Sequence, residues 1–179
     1  NRFKNLVEIC HREWLSKSVG IPSSHKYGVD LLSDEIGIEL KSRLRRRNKK
    51  NEVLQGNSRF AVHEYQVPGF PEEHPNVDLY WAFLFYDLGM SVDDVPPYYT
   101  PREIEPHISG REAWFFNWEW IDSFPVSYPK TGPYRYVGIK DFPEPSLCET
   151  LKVNEGRIYF NPESNLRKKL DKSIIETVK

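Results

Sequence analysis

Within the ten residues Val77-Asp-Leu-Tyr-Trp-Ala-Phe-Leu-Phe-Tyr86 there is a single charged side chain, and the rest are apolar or aromatic. A strand with one face in water alternates apolar and polar residues, and this run has no polar face to offer solvent. It predicts a central strand covered on both sides, which requires a layered fold built around a sheet. At 179 residues the chain is long enough for one core and short for two, so a single domain over 1–179 is expected.

The neighbouring patterns supply the layers. Phe3, Leu6, Val7, Cys10 and Trp14 recur at helical spacing and predict a helix from Phe3 to Ser16, with Glu8 and Glu13 on the flanks of its apolar stripe. Gly20-Ile-Pro22 ends that element. Arg59–Gln66 and Tyr134–Ile139 read as further strands, and Ala113–Ile121 alternates in part. The proline-rich stretch Val95–Pro106 reads as a loop. Leu166, Leu170, Ile174 and Ile175 predict an amphipathic helix between Pro162 and Lys179 that packs on the sheet. The expected class is α/β, with a central mixed β-sheet flanked by helices.

Between the first helix and the long strand lies Tyr27-Gly-Val-Asp-Leu-Leu-Ser-Asp-Glu-Ile-Gly-Ile-Glu-Leu-Lys-Ser-Arg43, two short apolar runs around a polar break. This is a β-hairpin pattern, in which Glu39 and Lys41 share one face while Ile38 and Leu40 point to the other. If the turn centres on Asp34 and Glu35, Asp30 stands across from Glu39, although Asp-Glu is a poor two-residue hairpin turn. Like charges facing each other across a strand pair are destabilising, so the arrangement calls for something positive between them, most economically a divalent cation. The bland alternative is a surface salt-bridge cluster.

These residues resemble the PD-(D/E)XK nuclease superfamily, the restriction-endonuclease-like fold. Val29-Asp30 stands where that family has Pro-Asp, Glu39-Leu40-Lys41 fits its (D/E)XK element, and Glu-Leu-Lys-Ser-Arg is similar to archaeal Holliday-junction resolvases. The likeness covers roughly residues 1–45 and departs from the motif at Val29. It implies a metal-dependent DNA endonuclease that leaves a 5′-phosphate, with Mg²⁺ as cofactor and Mn²⁺ as the alternative. Asp30, Glu39 and the backbone carbonyl of Leu40 would hold the metal, and Lys41 would act on the attacking water. The first helix would contribute a glutamate, Glu8 ahead of Glu13. A restriction-type enzyme is the leading subclass, because the long aromatic and proline-rich second half could carry sequence recognition, although Trp and Tyr are more often core or sheet-covering residues than base-stacking ones. Cutting both strands then calls for a homodimer. The alternatives are a repair or junction-resolving nuclease, or a DNA-binding module of the same fold within a larger protein.

Net charge is −1, which alone argues against a nucleic-acid partner, yet Lys41, Arg43, Arg45, Arg46, Arg47, Lys49 and Lys50 fall within ten residues. A focused basic patch of this kind supplies sequence-independent, salt-sensitive affinity for double-stranded DNA, so Arg43 to Lys50 are the candidate DNA contacts. Nothing has the length of a transmembrane segment and Asn1–Asn5 lack a signal peptide's apolar run, so a soluble, cytoplasmic protein is expected. Cys10 and Cys148 are too isolated for a disulfide framework. Of the five histidines, His63 is the one to watch, since a strand beside the hairpin would bring it toward the phosphate. No Gly-rich phosphate loop and no Gly-x-Ser-x-Gly elbow is present.

Overall fold

A computed structural model describes residues 2–24, 28–45, 59–63, 74–130, 132–142, 151–154, 157–160, 166 and 168–170. Its strands are β1 (Leu31–Leu32), β2 (Ile36–Leu44), β3 (Arg59–His63), β4 (Asp78–Leu88), β5 (Ile108–Asn117), β6 (Val126–Ser127), β7 (Tyr134–Gly138), β8 (Leu151–Asn154) and β9 (Arg157–Phe160). They form a six-stranded mixed sheet in the order β1-β2-β4-β5-β8-β9 and a three-stranded sheet in the order β3-β7-β6. In the larger sheet β2 and β4 run parallel, and the other neighbours are antiparallel. The protein is thus of the α/β class with a mixed sheet.

The apolar run is the hinge of the architecture, because alternation along β4 divides it between two cores. Tyr80, Ala82, Leu84 and Tyr86 point into a core with Ile36, Ile38, Ala113 and Phe115, while Trp81, Phe83 and Phe85 point into a second one with Phe60, Val62, Phe116 and Val137. Removing each of these larger side chains from water contributes about 1.5–3 kcal/mol, which is why β4 tolerates no polar alternate.

Helix α1 (Arg2–Val19) covers the first core with Leu6, Val7, Cys10, Leu15 and Val19, and runs just under one turn past the end at Ser16 that the pattern predicts. It stops at Gly20, whose φ of 72° and bond to the Ser16 carbonyl fit the left-handed residue that closes many helices. Leu166 and Leu170 bury themselves in the same core, and the remainder of the expected C-terminal helix lies outside the described residues.

Three expectations need correction. Among the described residues the α-helices cover one face; the other carries the β3-β7-β6 sheet and an aromatic cluster that includes Phe142 and, from a 3₁₀ segment, Trp118 and Trp120. The aromatic second half therefore closes a core. The stretch Val95–Pro106 is also more than a loop: Pro101–Ile104 is a helical turn with a capping box between Thr100 and Glu103, and it buries Ile104. The strand expected over Ala113–Ile121 instead starts at Ile108 and gives way at Trp118 to a 3₁₀ segment, Trp118–Ser123.

Candidate active site

The hairpin turn falls on Asp34 and Glu35: Ser33 N–H donates to the Ile36 carbonyl at 2.8 Å, and Leu31 pairs with Ile38 and Leu32 with Gly37. The unfavourable Asp-Glu pair is rescued by Ser33, whose Oγ accepts from the Ile36 N–H at 3.1 Å and the Glu35 N–H at 3.4 Å. At Asp30 the pairing steps by one residue, since the Asp30 N–H also reaches the Ile38 carbonyl at 2.9 Å. Asp30 and Leu31 both address Ile38, a bulge-like step that re-aims the Asp30 side chain. Its carboxylate Oδ2 accepts the Leu40 N–H at 2.8 Å, taking the place of the next strand bond. Ser24 N–H on the Asp30 carbonyl at 2.8 Å and the burial of Val29 against Leu79 fix the residue from the other side.

Glu39 and Lys41 stand on the same face of β2, with Lys41 Nζ 3.3 Å from Glu39 Oε1. They lie beside Trp81 and Phe83 of β4, and Arg43 beside Phe85, so a charged stripe runs along an aromatic one. Glu39 is only 8% exposed. Burial first, and then the Asp30 charge and a hydrogen bond with the Asp30 side chain, push its carboxyl up from 4.5 to about 7 against the opposing pull of Lys41. Two carboxyl groups, one from the residue just before β1 and one from β2, therefore meet, with an ammonium at their side.

Arg12 completes the cluster. From α1 its Nε and Nη2 approach Asp30 Oδ1 at 3.1 and 3.0 Å. No sequence signal named this residue: it lies one turn beyond Glu8 on a polar flank, and its partner is 18 residues away.

The other predicted residues fall as follows. Glu8 is paired with Lys4 at 3.8 Å and adds to the upward shift that burial causes at Tyr86, whose β2 neighbour is Leu44 rather than Glu39. Glu13 faces a cavity of about 470 Å³ with Cys10, Thr100, Arg102 and Glu105. Among the described residues no group of three or more His, Cys, Asp or Glu side chains comes together to hold a metal, so the structure does not add Glu8 or Glu13 to Asp30 and Glu39. Leu40 points its N–H at Asp30, and since a strand residue's N–H and C=O share an edge, its carbonyl faces the same side.

Arg43 donates to the Arg59 carbonyl at 2.7 Å and remains half exposed. Arg45 differs from the role expected of it: its guanidinium is held by Asp87 at 3.1 Å, Glu112 at 3.0 Å and the Gly110 carbonyl, and it serves as an internal tie between β2, β4 and β5. Its acidic partners sit 42 and 67 residues away in the chain, which hid them from a local reading. Arg46, Arg47, Lys49 and Lys50 lie outside the described residues. His63 is on β3, which pairs with β7 rather than with the hairpin, and its ring meets Tyr134 edge-on at 4.9 Å.

His11 sits four residues after Val7 and four before Leu15, on the apolar stripe of α1. It is fully buried, and its Nδ1 accepts from Arg111 Nε at 3.2 Å. Burial and the Arg111 charge push its pKa down from 6.5 to about 3, so it is neutral at pH 7. Arg111 in turn binds Glu105 through two bonds of 2.7 and 2.6 Å.

Two carboxylates suit Mg²⁺, a hard cation that keeps most of its waters and takes one or two acidic ligands from protein. The donor set of Asp30 and Glu39 fits that requirement. No protein-family model, curated protein or solved structure matches the chain. No described helix is long and apolar enough to cross a membrane.

Proposed function

We propose that this protein is a metal-dependent DNA endonuclease of the restriction-endonuclease-like fold, with restriction-type cleavage of double-stranded DNA by a homodimer as the leading form. The observation that carries the reading is the meeting of Asp30, Glu39 and Lys41 on one patch of the sheet, with the carboxyl groups hydrogen bonded and the ammonium 3.3 Å from Glu39.

Asp30 and Glu39 would hold Mg²⁺, or Mn²⁺ in its place, with the Leu40 carbonyl as a further ligand; bound there, the ion supplies Lewis-acid stabilisation of a phosphate oxygen and a more acidic water. The chain's own residues do the rest. The Leu40 N–H and the bulge at Asp30 fix one carboxylate in direction before any ligand arrives. Lys41 orients the attacking water and offsets the negative charge that grows on the phosphate as it is attacked. Trp81 and Phe83 beside it keep the patch poorly hydrated, which strengthens each of these interactions. Glu39 is ionised only in part near pH 7, so cation binding is coupled to loss of its proton and is favoured by rising pH.

Arg43 and the basic residues after it would hold the DNA backbone. A second reading, a DNA-binding module whose acidic cluster is purely structural, draws support from the pairing of Arg12 with Asp30 and of Lys41 with Glu39. Supercoiled plasmid separates the two. Mg²⁺-dependent nicking that chelator abolishes, and that Lys41→Ala and Asp30→Ala both lose, is the expected result. Salt-sensitive binding with no cleavage by the unaltered protein would refute the enzyme.

A further inference from the structure

The charge at Asp30 is already answered within the protein. Arg12 places two nitrogens on Asp30 Oδ1 at 3.1 and 3.0 Å, while Oδ2 is taken by the Leu40 N–H. On the next strand Lys41 answers Glu39. The four formal charges of Arg12, Asp30, Glu39 and Lys41 cancel, so a divalent ion entering this arrangement brings two positive charges beside two cations already there. Repulsion between like charges a few ångströms apart in a partly buried site costs several times what it does in water. The guanidinium and a metal also compete for the same oxygen.

We infer that Arg12 is a built-in counter-ion for Asp30 that must leave the carboxylate before a divalent cation can bind, and so sets the cation concentration at which the site fills. This rests on the metal-site reading above. Arg12 comes from α1 whereas Asp30 immediately precedes β1 and Glu39 lies in β2, so it can withdraw without disturbing the strands. Asp30 keeps its direction when Arg12 leaves, because the Leu40 N–H, the Ile38 carbonyl and the Ser24 N–H hold the residue independently. Arg12 is thus the counter-ion of the empty site and has no part in the filled one.

Binding of Mn²⁺ without DNA, followed by the electron paramagnetic resonance signal of the free ion, tests this separately from catalysis. The unaltered protein, Arg12→Gln, Arg12→Lys and Asp30→Asn are titrated at pH 8, with circular dichroism confirming that each is folded. Arg12→Gln is expected to bind Mn²⁺ on the order of tenfold more tightly than the unaltered protein, the effect of removing one modest ion pair. Arg12→Lys, which keeps the charge but loses the fork, falls between them, and it carries the test alone if the glutamine variant does not fold. Equal or weaker binding by a folded Arg12 variant overturns the inference while leaving the metal site standing. Binding by none of the proteins, or binding that Asp30→Asn leaves unchanged, overturns the metal site and the inference together.

Discussion

Replacing Glu39 by glutamine keeps the volume and the acceptor facing Lys41 but removes a carboxylate that is buried against Trp81 and opposed by Asp30. The native pKa of about 7, against an ordinary 4.5, means that the folded protein favours the protonated form. For an acid raised in this way, stability is fully present below pH 4.5 and is lost as pH rises through about 7. At roughly 1.4 kcal/mol per pH unit, the full loss is about 3 kcal/mol. Urea unfolding of both proteins in chelator, at half-unit steps from pH 4.5 to 8.5, gives the difference directly. Glu39→Gln is expected to gain on the unaltered protein by up to about 3 kcal/mol across that range, with the change centred between pH 5 and 7.5. Subtracting the two curves cancels groups common to both, including His11, whose contribution has the opposite sign. Parallel curves would refute the claim that Glu39 is a strained, buried carboxyl, and a lower stability for Glu39→Gln at pH 8 would show that its ion pair with Lys41 outweighs burial.

Other consequences follow from the same geometry. Stability attributable to His11 is present above pH 6.5 and is lost as pH falls toward about 3, so His11→Leu should flatten the acid limb of the unfolding profile. Arg45→Met leaves Asp87 and Glu112 without their shared cation and should cost about 3 kcal/mol in urea unfolding, without altering the salt dependence of DNA binding. Arg43→Ala, in contrast, should weaken DNA binding and lower the slope of log affinity against log salt by about one. Phe83→Ala empties a fully buried position in the aromatic core and should cost about 3–5 kcal/mol, read by the same denaturation. Mg²⁺-dependent cleavage should rise with pH through about 7 at limiting metal and become less pH-dependent at saturating metal, as the proton on Glu39 gives way.

The parts legible in the sequence were those written in local periodicity. The helix of α1, the hairpin turn at Asp34-Glu35 and the doubly covered strand β4 follow from spacing two or four residues at a time, and the sharing of a face by Glu39 and Lys41 follows from the pleat. What escaped depends on residues far apart in the chain. Arg45 reads as part of a basic patch until Asp87 and Glu112 are brought to it by strand pairing. Arg12 has no local mark that aims it at Asp30, and the one-residue step that turns Asp30 toward Leu40 is invisible in a pattern of period two. For the aromatics of the second half the sequence left two uses open, covering a core as the commoner one and recognition as the other, and Phe116, Trp118 and Phe142 pack against the odd-numbered face of β4. Composition cannot separate those two uses, because a stacking surface and a core draw on the same side chains.

The central claim, that Asp30 and Glu39 jointly hold a divalent ion beside Lys41, is tested most directly by loading the protein with Fe²⁺ and generating hydroxyl radicals at the bound ion with ascorbate and peroxide. Polypeptide scission confined to the neighbourhoods of residues 30 and 39, suppressed by excess Mg²⁺ and absent in Asp30→Asn, is the result predicted. Scission elsewhere in the chain, or at these positions but indifferent to Mg²⁺ and to the substitution, would contradict it.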